Sequence, residues 1–77
     1  MDKAQVYKEY CNAIKQVKGL GGKQLSEAIA EANRRCYLVL FGTREIRQRN
    51  MSDEQLEILA NHRAMMTQVM LQKANVK

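Results

Sequence analysis

The sequence predicts an all-α fold, a single small three- or four-helix domain, on three observations. The 77 residues contain no proline. Ala, Leu, Gln, Glu, Lys and Arg, the stronger helix formers, supply much of the chain. Apolar residues recur three and four positions apart through three long segments, and helix start or stop signals bound each of them. With 77 residues the chain exposes roughly 4,800 Å² once folded and buries about 63% of its extended surface. Residues 1–77 are therefore expected to form one domain with one small core. A cofactor domain, a closed barrel or a lidded cleft needs a longer chain.

The first segment runs from Asp2 to Lys18. Val6, Tyr10, Ala13, Ile14 and Val17 repeat at helical spacing, and Tyr7 and Cys11 widen that stripe. Asp2 is a capping residue with its charge at the positive end of the helix dipole, and Lys15 and Lys18 lie at the negative end. Gly19 stops the helix, and Gly21 and Gly22 continue a short link.

The second segment begins near Lys23. Leu25, Ala28, Ile29, Ala32 and Cys36 share a helical face that Val39 and Leu40 extend. Tyr37, Leu38 and Phe41 make its last turns apolar nearly all round, which predicts the most buried part of the fold there. A strand over Tyr37–Phe41 would have no partner for its backbone, so helix is preferred. Gly42 and Thr43 interrupt the pattern. Thr43 is expected to cap a short helix containing Arg44 to Arg49, anchored by Ile46 alone.

The last segment opens on the clearest local signal. Ser52 and Gln55 form a capping box, Met51 and Leu56 a hydrophobic staple, and Asp53 and Glu54 place negative charge in the first turn. Leu56, Ile58, Leu59, His62, Met65, Met66, Val69 and Met70 then populate one broad face as far as about Ala74. Leu56, Leu59, Arg63, Met66, Met70 and Lys73 make a broken heptad seam, so a long coiled coil is not expected. The predicted anchors of the core are Tyr10, Ile14, Ile29, Leu40, Leu59 and Met66.

No element carries a pattern for catalysis, a metal or a cofactor. His62 is the single histidine, and its apolar neighbours on a helix favour a packed side chain over a ligand. Cys11, Cys36 and His62 contain no short chelating pair, unlike zinc spacings. The eight carboxylates read as solvated faces or dipole partners, including the one-turn pair Glu27 and Glu31. The glycines between Lys18 and Lys23 lack the spacing, the Ser or Thr, and the preceding strand of a phosphate loop. Cys11 and Cys36 fall on apolar faces and read as small buried thiols in a reducing cytoplasm, although their spacing leaves one disulfide open. The longest apolar run, Cys36 to Phe41, is far too short to span a membrane, so no membrane association is expected.

Charge gives the best functional lead. The chain carries +5 at neutral pH, and five of its six arginines fall between Arg34 and Arg49. Arginine pairs bidentately with phosphate and carboxylate and stacks on bases. The expected function is a non-enzymatic, nucleic-acid-associated regulator. Lys18, Lys23, Arg34, Arg35, Arg44, Arg47 and Arg49 would contact phosphates, or else an acidic protein surface. The alternative is a protein-binding inhibitor or adaptor acting through the same basic surface or through Met65, Met66 and Met70, since flexible thioethers suit adaptable interfaces. A core this small also predicts a homodimer through the last helix.

One stretch resembles a known family. Ser52-Asp53-Glu54-Gln55-Leu56 followed by Ala60-Asn61-His62-Arg63 is similar to part of the third helix of the Hha-type bacterial nucleoid modulators, small basic helical proteins that bind a DNA-coating partner. The resemblance covers nine of the 77 residues, with shorter internal spacing here, and assigns no residue a role.

Overall fold

The computed structural model describes residues 2–75. It contains three α-helices, α1 (Lys3–Lys18), α2 (Gly22–Phe41) and α3 (Asp53–Asn75), with one 3₁₀ turn at Gln48–Asn50 and no strand among the described residues. The chain is all-α, as its periodicity predicts. Asp2 caps α1, its carboxylate accepting from the backbone N–H groups of Ala4 (3.0 Å) and Gln5 (3.3 Å). Helices α1 and α2 both end on a left-handed glycine, Gly19 at φ 64° and Gly42 at φ 74°, where a side chain would be strained. The capping box of α3 is formed in both directions. Gln55 N–H donates to Ser52 Oγ at 3.1 Å, and Ser52 N–H donates to Gln55 Oε1 at 2.9 Å.

Helices α1 and α3 run parallel and make the most extensive contact in the molecule. Near their starts Lys3 pairs with Glu57 at 3.2 Å, one turn on Tyr7 lies under Arg63, and near their ends Gln16 and Leu71 line a common cleft. Helix α2 crosses back between these two levels and closes the third side through Cys36. The buried apolar core is Tyr10, Ala13, Ile14, Cys36, Met51, Leu59 and Ala60. Of the predicted anchors, Tyr10, Ile14 and Leu59 are buried, whereas Ile29, Leu40 and Met66 are partly buried against them. Met51 is buried and Leu56 packs on the same cluster, as a staple requires.

Three local expectations are corrected. Thr43 to Arg47 is not helical. The expected helix, the six residues Arg44 to Arg49, has one large apolar side chain and cannot offset the cost of nucleation. Thr43 Oγ1 instead accepts from Glu45 N–H at 3.2 Å in a local turn, and the 3₁₀ turn begins only at Gln48. The end of α2 is not the most buried part of the fold: Leu38 is 46% exposed and Val39 73%. Three helices cannot cover the whole circumference of one of them, so an apolar girdle leaves one side bare. On α3, Ile58 and Met65 likewise face outward rather than joining the core stripe. The folded surface of 5538 Å² is roughly 700 Å² above the ~4,800 Å² expected of a chain this size.

Candidate functional site

The basic residues singled out by the sequence come from three places in the fold. Lys18 is the last residue of α1 and Lys23 the second of α2, both exposed. Arg34 and Arg35 project from the middle of α2, and Arg44, Arg47 and Arg49 lie in the connection to α3, all exposed. Without the expected short helix, Arg44 and Arg47 are not one turn apart on a common face.

Glu31 draws three of these groups together. Arg44 folds back so that its Nη2 donates to both carboxylate oxygens of Glu31, at 2.7 and 2.9 Å. Arg34 Nη1 lies 3.5 Å from Oε2 and Arg35 Nε 3.7 Å from Oε1, one helical turn along α2. The hydrogen bond from Arg44, reinforced by the charges of Arg44 and Arg35, holds the Glu31 carboxyl below the ordinary carboxylate range. Lys18, Glu31 and Arg35 also line the mouth of one cleft, so Lys18 joins the same patch. Three guanidinium groups thus gather at one carboxylate, with Lys18 lining the same cleft. Arg47 and Arg49 form no ion pair among the described residues. Lys23 lies eight residues before Glu31, about 12 Å away along the axis of α2.

The cleft below this patch has a volume of about 400 Å³ and lies where all three helices meet. Its walls are mainly apolar: Tyr10, Ile14, Val39, Met66 and Met70, with His62 half-buried beside them. The three methionines singled out in the sequence therefore divide. Met66 and Met70 are half-buried and line the cleft, whereas Met65 is 55% exposed on the outside of α3. At the floor the Tyr10 hydroxyl and Cys36 Sγ share a hydrogen bond at 3.4 Å. Burial, with this bond second, holds the Tyr10 hydroxyl well above its ordinary pKa. Cys36 is buried, Cys11 half-buried, and both are free thiols, so the disulfide left open by their spacing is not formed.

Arg63 lies outside the basic cluster. The seam places it in line with Leu59 and Met66, and its charge there reads as a break in an apolar stripe. It is instead among the most buried side chains, 5% exposed. Its Nη2 donates to Asn33 Oδ1 at 3.0 Å, and Asn33 Nδ2 donates to the Tyr7 hydroxyl at 3.3 Å. The guanidinium also sits over the Tyr7 ring at 4.5 Å from its centroid. These contacts tie α1, α2 and α3 together at one level. Burial raises the Tyr7 pKa, and the bond from Asn33 opposes that rise. Thr67, one turn on, turns inward and donates to the Arg63 carbonyl at 2.8 Å.

Among the described residues no His, Cys, Asp or Glu side chains gather in a set of three able to hold a metal, and no helix is long and apolar enough to cross a membrane. No protein-family model, curated protein or solved structure matches the chain.

Proposed function

We propose that the chain is a non-enzymatic binding protein that contacts the phosphate backbone of a nucleic acid through its basic face. The observation that supports this is the convergence of Arg34, Arg35 and Arg44 on Glu31 beside Lys18. An exposed carboxylate ringed by three guanidinium groups holds them close together without neutralising them. Each guanidinium has five N–H donors in a planar fork. Arg44 directs one nitrogen at Glu31, which leaves donors for phosphate oxygens. Arg47, Arg49 and Lys23 are exposed elsewhere on the surface and add to the positive charge of the chain. Such contacts set orientation and affinity without reading sequence.

The test is the salt dependence of binding to a short duplex and a short single strand. Replacing Arg44, Arg47 and Arg49 together with Ala is expected to weaken binding to every sequence. It should also lower the log–log slope by about 2 to 2.7, at about 0.7 to 0.9 for each phosphate no longer neutralised. An unchanged slope in the triple variant, or no binding by the parent at low salt, rejects the proposal.

A second reading, a protein-binding inhibitor or adaptor, is favoured by the apolar cleft and by the exposed Leu38, Val39 and Met65. A second copy covering this face would make the homodimer that the small core calls for. A monomer mass independent of concentration in light scattering rejects the homodimer, and one stoichiometric protein partner retained after nuclease treatment favours this reading over the first.

A further inference from the structure

We propose that a second cleft, between the N-terminal halves of α1 and α3, binds a small organic monocarboxylate through Arg63. The cleft has a volume of about 400 Å³, within the range of small-molecule sites. Arg63, Lys3, Tyr7 and Gln48 supply its polar wall, and Leu56 and Leu59 are part of its apolar one. None of these residues belongs to the basic face around Glu31, so this proposal stands apart from the nucleic-acid reading.

Arg63 is what calls for an anion. Its side chain is buried, yet no carboxylate lies within 4 Å of it among the described residues. Only the bond from Nη2 to Asn33 occupies its donors, and Nε is buried with no partner at all. A buried cation ordinarily requires an opposite charge and filled hydrogen bonds, and the face of an aromatic ring replaces only part of that. Tyr7 supplies the ring; no described residue supplies the anion.

The charge balance selects the ligand. Lys3 is paired with Glu57 at 3.2 Å, so Arg63 is the uncompensated charge on the wall. A monoanion neutralises it, whereas a phosphate dianion leaves one negative charge over beside Glu57. A carboxylate also matches the planar fork of a guanidinium. Leu56 and Leu59 then suit a short aliphatic or aromatic body attached to it.

The experiment follows the arginine Nε–H resonances of the ¹⁵N-labelled protein as butyrate or benzoate is added at constant ionic strength, with butyramide, benzamide and inorganic phosphate as comparisons. Saturable shifts at the Arg63 Nε–H and in the Tyr7 ring are expected with the carboxylates at a Kd of about 1 mM or tighter. The amides should leave both signals in place, and phosphate should bind more weakly than the carboxylates. Arg63→Gln should lose at least about tenfold in affinity, the scale of one charge-assisted hydrogen bond. If that variant does not fold, Lys3→Ala, at an exposed position, provides the second check and should weaken binding about two- to fivefold. Shifts of equal size with the amides, tighter binding of phosphate, full affinity in whichever variant folds, or no saturable shift at Arg63 would each overturn the proposal.

Discussion

The contact between α1 and α3 and the outer half of α2 are built from similarly apolar sequence and end in opposite states. Where α1 meets α3, small side chains are buried: Ala13 on one helix, Ala60 and Thr67 on the other. Small residues let two backbones approach, and Ile14 and Leu59 then fill the space that remains, both almost fully buried. The outer half of α2 carries Leu38, Val39, Leu40 and Phe41 in succession, yet only Leu40 and Phe41 pack against the core, while Leu38 is exposed and Val39 meets Met66 and Met70 across an open cleft. Apolar content alone does not decide burial. Complementary size on the facing helix does.

The largest effect that can break this comparison is expected at Leu59. Leu59→Ala should cost about 2–5 kcal/mol, because the close α1–α3 contact cannot collapse into the cavity. For a domain this small that lowers Tm by about 4–8 °C per kcal/mol. Chemical denaturation measures it, and a loss below about 1 kcal/mol would show that the contact is less tight than its burial implies.

The next effect is electrostatic and belongs to α1. Tyr10 and Tyr7 both have raised pKa values, first through burial. A raised phenol pKa means that the folded state keeps its proton where the unfolded chain has lost it. Stability is therefore intact below about pH 10 and falls above it, by about 1.4 kcal/mol per pH unit for Tyr10 until its folded-state pKa is reached. Tyr10→Phe should flatten the alkaline limb of the denaturation midpoint against pH. A limb of unchanged slope would mean that burial of the hydroxyl contributes nothing.

The smallest effect sharpens the contrast from the other side. Val39→Ala on the exposed flank of α2 should change stability by no more than about 0.5 kcal/mol in dilute solution. A loss comparable with that of Leu59→Ala, growing with protein concentration, would mean that a second copy covers the flank.

The helices are legible in the sequence wherever local chemistry is decisive. Asp2, Gly19, Gly42 and the Ser52–Gln55 box mark their ends through bonds within a few residues, and such bonds do not depend on the rest of the fold. The segment after Gly42 is not legible in this way. Ile46 gives it no amphipathic stripe, and its long-range contacts are the packing of Ile46 on the core and the pairing of Arg44 with Glu31. The candidate basic face is legible as a cluster of arginines, but Glu31 as their common partner is not, because that contact joins positions thirteen residues apart. Arg63 is least legible. A charged residue on an apolar stripe reads as a flaw until Asn33 and Tyr7, both some distance away in the chain, are seen to meet it.

The parallel course of α1 and α3 has a consequence for how the chain is made. The most extensive contact in the molecule joins residues more than fifty positions apart, as Lys3 and Glu57 are. Ribosomal synthesis delivers α1 first, and α1 then waits through the whole of α2 and its connection before its main partner exists. A helical protein usually folds quickly because its contacts are local; here a long loop must close before the core forms. Folding should accordingly be slower than helix content suggests, and fragments that lack α3 should lose most of the packing available to α1.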